Sequence, residues 1–260
     1  MGLDFSASDT HQVDIGNGAS INNLTAGGIL AWINPATITA SGVRGRIIQK
    51  GLFGPGNFRN FMIGHTSNGD FTMEIMRATT NLNALSATGQ LSASVWQCVA
   101  TRFDTAGANG DQQLYVGDVN TALTEVSSYS TQLVGSGATG DDSGVNAYIS
   151  NNSNNNRSIN GSISFVSIWN TYPSLGDLQR QQFNTSRMAS PSMALFMHLG
   201  VHGSGGVGTQ IDWSGNGNNG TITGATKTDH APIQIFPRPG IWRGWDAAAA
   251  AARRIFITHT

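Results

Sequence analysis

Gly161-Ser162-Ile163-Ser164-Phe165-Val166-Ser167-Ile168-Trp169-Asn170 is the stretch whose reading decides the fold. β-Branched and aromatic residues crowd it, the Asn-rich segment Asn151 to Asn156 precedes it, and Tyr172-Pro173-Ser174 closes it. Such a run between turn formers reads as a core strand. Directly after it, Ser174-Leu175-Gly176-Asp177 has the form in which a serine hydroxyl and a carboxylate satisfy backbone N–H groups at a helix start. A short helix carrying Leu175, Leu178 and Phe183 is expected to follow the strand.

Similar runs lie on both sides. Upstream are Leu3 to Phe5, Gln12 to Ile15, Gly28 to Ile33, Arg46 to Lys50, Phe58 to Gly64, Asp70 to Met76, Val95 to Phe103, Gln112 to Val116 and Val145 to Ser150; downstream are Ala194 to Leu199 and Thr221 to Thr223. Phe71, Met73 and Ile75 alternate with Thr72 and Glu74, the period of a half-buried strand. Asn68-Gly69 supplies a hairpin turn, and Thr121 to Gly144 reads as poorly structured. Short strands every 8 to 12 residues or so belong to a sandwich or barrel. No repeat of fixed period points to a propeller or solenoid.

Only 11% of the residues are charged, against roughly 25% in ordinary soluble domains. With 33 glycines and many Asn, Ser and Thr, the chain suits short strands and tight polar turns rather than long solvated helices. A net charge of −1 offers no field to draw in nucleic acid or an anionic membrane, so neither is expected as a partner. No apolar run is long enough to span a bilayer, and Met1 to Phe5 enters a strand pattern without a basic-then-apolar leader, so no signal peptide is expected. The single Cys98 excludes an intrachain disulfide and reads as a small strand residue.

The character changes at Asp229. Pro232, Pro237 and Pro239 alternate with Phe236, Trp242 and Trp245; then come Asp246, six alanines, Arg253-Arg254 and the alternating Ile255-Phe256-Ile257-Thr258. We therefore divide the chain into a sandwich, 1–228, and an extended arm, 229–260, with a short Ala helix. That helix is below the roughly 12 to 15 residues needed for independent stability, so it must dock on something. Phe236, Trp242, Trp245, Arg253, Arg254 and Phe256 are the candidate assembly residues.

Seven segments together resemble the laminin G-like, concanavalin A-like jelly-roll domains, across roughly residues 1 to 185: Leu3-Asp4-Phe5, Val13-Asp14-Ile15, Ala31-Trp32-Ile33, Ile47 to Gly51, Trp96 to Asp104, Leu114 to Asp118 and Gly161 to Asn170. The resemblance implies an all-β fold, a two-sheet antiparallel jelly-roll β-sandwich with one short helix. Asp212-Trp213-Ser214-Gly215-Asn216-Gly217-Asn218-Asn219-Gly220-Thr221 also looks like a segment of this family, but there it usually precedes the first strand and here it follows the last. Domains of this kind with a Pro- and aromatic-rich arm are similar to bacteriophage virion components.

Catalysis finds few parts. The chain has two glutamates, Glu74 and Glu125, and neither lies in the Glu-x-Asp-x-x-Glu strand of the family's glycosidases. No Gly-x-Ser-x-Gly elbow is present. His198-x-x-x-His202 lacks the glutamate of a helical zinc pair and falls on a strand, where the two rings would stand some 13 Å apart. Gly203-x-Gly205-x-x-Gly208 has dinucleotide spacing but no βαβ unit around it, so it reads as a flexible loop. Asp212, Ser214 and Asn216 match the first half of a calcium loop, with Thr223 where the bidentate glutamate should stand. Trp213, with Asn216 and Asn218, is a candidate sugar platform, since an aromatic face stacks on a sugar and amides bond hydroxyls; Trp32, Trp96 and Trp169 are assigned to the core.

The expectation is a non-catalytic structural protein of a phage virion, made in the host cytoplasm, a capsid decoration or tail-associated subunit that forms homo-oligomers through its arm. The alternative is a carbohydrate-binding or host-adhesion module. No cofactor is expected beyond the calcium candidate.

Overall fold

The computed structural model describes residues 1–5, 10–38, 45–51, 59–63, 69–107, 112–152, 154–186, 190–201 and 207–232. Its strands are β1 (Gly2–Asp4), β2 (Gln12–Gly16), β3 (Ala26–Pro35), β4 (Gly45–Lys50), β5 (Arg59–Ile63), β6 (Phe71–Ile75), β7 (Leu82–Ser86), β8 (Gln97–Asp104) and β9 (Gln113–Gly117). They continue as β10 (Thr124–Glu125), β11 (Tyr129–Leu133), β12 (Ala147–Ile149), β13 (Gly161–Trp169), β14 (Met193–His198), β15 (Val207–Gln210), β16 (Gly220–Thr223) and β17 (Thr226–Thr228). One α-helix, α1 (Leu175–Gln182), and a 3-10 turn, Ala19–Ile21, complete the described elements.

The strands form two antiparallel sheets. The smaller has eight strands in the order β10-β9-β8-β3-β13-β1-β17, with β14 also on β13; the larger has nine in the order β11-β7-β6-β5-β4-β12-β2-β16-β15. Hairpin neighbours, β4 to β7, β8 to β10, β13 with β14 and β15 with β16, are joined by pairings of strands far apart in the chain, such as β3 with β13 and β2 with β16, as in a jelly roll.

β13 is the axis of the smaller sheet. One edge pairs with β3 along its whole length, from Gly161↔Pro35 to Trp169↔Gly28. The other is shared by β1, through Leu3↔Ile163, and β14, through Phe165↔His198 to Trp169↔Met193. The strand is buried nearly throughout, Ser164 and Ser167 included, because both faces are covered. Ile163, Val166 and Ile168 face the larger sheet and join Val13, Ile15, Ile47, Phe71, Met73 and Ile75 in the central core. Phe165 and Trp169 face the other way, with Leu30, Trp32, Tyr115 and Phe196, beneath Leu178 of α1. Truncating a ring buried as completely as Phe165 costs about 3–5 kcal/mol.

α1 forms as its capping pattern requires. Ser174 Oγ accepts from the Asp177 N–H at 3.1 Å, and Asp177 Oδ2 accepts from the Ser174 N–H at 3.1 Å. The helix is pinned at its far end, where Trp32 Nε1 donates to the Gln182 carbonyl at 2.9 Å and Gln182 Nε2 donates to the Asp118 and Thr121 carbonyls at 2.9 and 2.8 Å.

Two expectations need correction, and one strand had no expectation. Thr121 to Gly144 holds two strands, β10 and β11, whose polar sequences pair at the sheet edges. β7, between β6 and β11, is the strand that no expectation from the sequence covers. Gly208, read as part of a loop, lies in β15; Gly203 and Gly205 fall outside the described residues.

The chain after β14 returns to the N-terminus. β16 pairs with β2 through Ile222↔Val13, and β17 pairs with β1 through Leu3↔Lys227. The segment that stands before the first strand in the resembled family is thus reached here from the other end of the chain, and it closes the edge beside β1 and β2 in both sheets.

Candidate functional site

The loop 212–219 joins β15 to β16, and its side chains turn inward. Asp212 Oδ1 accepts from the backbone N–H groups of Phe196 at 3.1 Å and Ser214 at 2.8 Å. Asp212 Oδ2 accepts from Ser214 Oγ at 2.8 Å, the Asn218 N–H at 3.0 Å and Asn218 Nδ2 at 3.3 Å. A carboxylate has about four lone-pair positions, and these donors fill them. The calcium expectation for Asp212, Ser214 and Asn216 is therefore corrected: N–H and O–H groups occupy the directions a cation would need, and Ser214 Oγ also accepts from the Asn216 N–H at 3.2 Å. Among the described residues no three His, Cys, Asp or Glu side chains converge on one point.

The same bonds break up the sugar platform. Asn216 Nδ2 donates to the Met193 carbonyl at 2.9 Å, and Asn218 Nδ2 donates to the Ala194 carbonyl at 2.9 Å and to Ser20 Oγ at 2.8 Å. These amides fasten the loop to β14, because a turn rich in Gly leaves backbone groups that Asn side chains satisfy. Trp213 is 48% exposed without them. Trp32 and Trp169 are buried and Trp96 is half-buried. Phe236, Trp242, Trp245, Arg253, Arg254 and Phe256 lie outside the described residues, as do His65, His202 and His259.

Sheet register assembles a different site. Across the larger sheet, cross-strand partners run Thr221↔Asp14, Asp14↔Tyr148, Tyr148↔Gln49, Gln49↔Asn60, Asn60↔Glu74 and Glu74↔Asn83. Val13, Ile15, Ile149, Met73, Ile75 and Ala84, their neighbours along the strands, belong to the central core. Strand alternation therefore puts Thr221, Asp14, Tyr148, Glu74 and Asn83 of this row on the outer face. It is polar at every position and has one aromatic residue, Tyr148, next to its middle.

Tyr148 is half-buried between two strands. Its phenol is held above the usual tyrosine range by partial burial and by the negative Asp14 beside it, while a hydrogen bond with Asn146 pulls the other way. Asp14 Oδ2 accepts from Asn146 Nδ2 at 3.0 Å and Asp14 Oδ1 from the Gly16 N–H at 2.9 Å. Gln49 is buried in the row, where Arg46 Nε donates to its Oε1 at 2.5 Å and its Nε2 donates to the Gly51 carbonyl at 2.7 Å. Farther along, Asn81 Nδ2 donates to Glu74 Oε1 at 2.7 Å. The Gln49 amide is thus used within the protein, and it is the phenol ring with the Asp14 carboxylate beside it that can cover an apolar sugar face and exchange hydrogen bonds with its hydroxyls.

The row does not hold a pair of catalytic carboxylates. Asp14 on β2 and Glu74 on β6 are separated by four strand spacings, about 19 Å, whereas glycosidase carboxyl pairs stand about 5 to 9.5 Å apart. Glu125 is on the smaller sheet, accepting from Tyr129 Oη at 2.8 Å. Asp14 and Tyr148 were missed in sequence because each is an ordinary outward residue of its own strand; the outward alternation was the one signal present.

A family model for the concanavalin A-like lectin/glucanases superfamily matches residues 7–179. The chain belongs to that superfamily. Solved structures of like fold include a candidate carbohydrate-binding protein from Bacteroides ovatus, with TM-score 0.57 and 21% identity over 90% of this chain. This superfamily member spans 61% of the length of that protein. A native heptameric SAP-like pentraxin from Limulus polyphemus matches with TM-score 0.55 and 11% identity, over 90% of this chain and 96% of its own. No curated protein sequence matches. The lectin/glucanase fold is thus established by both sequence and shape, and no described helix is long and apolar enough to cross a membrane.

Proposed function

We propose that this chain is a carbohydrate-binding module whose ligand lies on the outer face of the larger sheet, over Tyr148. The observation that carries the reading is the polar row from Thr221 to Asn83, in which one half-buried aromatic ring, Tyr148, stands beside the half-buried carboxylate of Asp14. The fold shared with a candidate carbohydrate-binding protein supports it. The separation of Asp14 from Glu74 favours binding over hydrolysis, so the proposal is non-catalytic. Screening the full chain on an array of plant, bacterial and animal glycans tests it: retention of a defined glycan class is the expected result, and no retention across the array would overturn it.

We keep a second proposal for the C-terminal arm, that it assembles copies of this chain or joins it to virion subunits. The favouring observation is at its root. Ala231 is buried in the cluster on the outer face of the smaller sheet, with Phe165 and Phe196, so the last described residues lie against the face opposite Tyr148. Light scattering of the full chain and of a Trp242→Ala/Trp245→Ala/Phe256→Ala variant tests it: a defined oligomer that dissociates in the variant supports assembly, and two monomers count against it.

A further inference from the structure

Asp14 sets what kind of sugar the face can take. Each of its carboxylate oxygens accepts one hydrogen bond from the protein, Oδ1 from Gly16 and Oδ2 from Asn146. A carboxylate oxygen has two acceptor directions, so each retains one. The residue is half-buried on the outer face, with Tyr148 as its cross-strand partner on one side and the exposed Thr221 on the other. Two parallel acceptors beside an aromatic ring match two adjacent donors on a ligand that lies against that ring.

The charge of the face points the same way. Its row carries two carboxylates, Asp14 and Glu74. Among the described residues, the cation beside Gln49 is Arg46, which is buried and bonds that glutamine. Lys50, on the same strand, turns into the end of the sandwich, where its Nζ donates to Asn22 Oδ1 at 2.7 Å and the Val145 carbonyl at 2.9 Å. A carboxylate accepts only, and charge-assisted hydrogen bonds to it are about twice as strong as neutral ones. A ligand carboxylate or sulfate placed there would meet like charge and find no donor on Asp14.

We infer, resting on the carbohydrate-binding reading above, that the ligand is a glycan without negative charge which presents a pair of adjacent hydroxyls to Asp14. Neutral polysaccharides are thus bound, and uronate-containing, sulfated or sialylated ones are rejected by the same residue. The Asn146 amide and the Gly16 N–H hold the carboxylate in place for this task, and Tyr148 supplies the surface against which the sugar ring lies.

The experiment is affinity electrophoresis or calorimetry of the full chain against neutral polysaccharides (galactomannan, xyloglucan, mixed-linkage glucan) and anionic ones (polygalacturonate, alginate, hyaluronan). The same series is run on Asp14→Asn and Tyr148→Ala. The expected pattern is binding to one or more neutral polymers, anionic polymers weaker by at least about tenfold, and a loss of about tenfold for the neutral ligand in Asp14→Asn, since an amide offers one acceptor where the carboxylate offers two. An O-methylated form of the preferred polymer should bind as weakly as the anionic ones. If an anionic polymer binds the unsubstituted chain best and Tyr148→Ala abolishes that binding, the glycan face stands and the assignment of Asp14 fails. Neutral binding unchanged in Asp14→Asn also overturns it. If no polymer of either kind binds, the carbohydrate reading fails with it. The comparison of neutral with anionic polymers uses the unsubstituted chain, so it holds even if Asp14→Asn folds poorly.

Discussion

The imidazoles of His198 and His230 stack at 5.9 Å between centroids, with their planes 30° apart. His198 is on β14; His230 follows β17 and begins the arm. Both rings pack on Phe165, at 5.6 and 6.4 Å. His198 Nε2 bonds the Thr185 carbonyl, and His230 Nδ1 bonds the Ala231 carbonyl at 2.7 Å.

Burial holds both imidazoles below the usual histidine range, with the positive chain N-terminus adding to the effect and each carbonyl bond opposing it. The folded state therefore favours neutral rings while the unfolded chain takes up protons near pH 6.5. In the window from that pH down to the lowered folded pKa, the unfolded state binds more protons, so stability falls as pH falls. We expect the melting temperature to decline below pH 6.5, and His230→Phe, which keeps the stacking and removes the titration, to flatten that decline. A profile unchanged in His230→Phe would remove the pair as its source.

Lys50 is buried at the end of the sandwich, 4.0 Å from Asp142 Oδ1, and both side chains are nearly inaccessible, at 4% and 1%. Asp142 also accepts from the Asn23 N–H at 2.6 Å, so this cation joins the loops before β3 and before β12 to β4. Lys50→Met leaves a buried carboxylate without its cation, and about 3–5 kcal/mol of stability should be lost. Urea denaturation measures it, and adding Asp142→Asn should recover part of the loss, because the uncompensated charge goes.

Gly18 is needed for space rather than for backbone freedom. Its φ of −56° suits any residue, but a Cβ there would stand 1.9 Å from Asn218 Oδ1. The Asn218 amide donates to Ser20 Oγ and the Ala194 carbonyl, so displacing it breaks those bonds. Gly18→Ala should cost about 1–3 kcal/mol, as overpacking does. A thermal melt reads it, and Gly18→Ala combined with Asn218→Gly should lose less than the sum of the two, because the clash is removed.

The strands with the densest apolar runs were plain in the sequence. Gly161 to Trp169 and Ala31-Trp32-Ile33 are buried on both faces and carry no competing signal. β10 and β11 were not, since Thr124-Glu125 and Tyr129 to Leu133 are mostly polar edge strands whose pairing comes from tertiary placement. The loop at Asp212 was recognised for its oxygen-bearing side chains, but their chemistry suits capping a turn as well as holding a cation, and the turn uses them. The proposed glycan face was hidden for another reason. Asp14 and Tyr148 are far apart in the chain, and only the register of β2 on β12 makes them neighbours.

The central claim is that ligand binds at Tyr148 and not at the exposed Trp213. Calorimetry of the best-bound glycan with Tyr148→Ala and Trp213→Ala side by side tests it most directly. Tyr148→Ala is expected to lose at least about tenfold in affinity, near 1.4 kcal/mol, while Trp213→Ala binds as the unsubstituted chain does. Binding that survives in Tyr148→Ala and is abolished in Trp213→Ala would contradict it and return the site to the loop between β15 and β16.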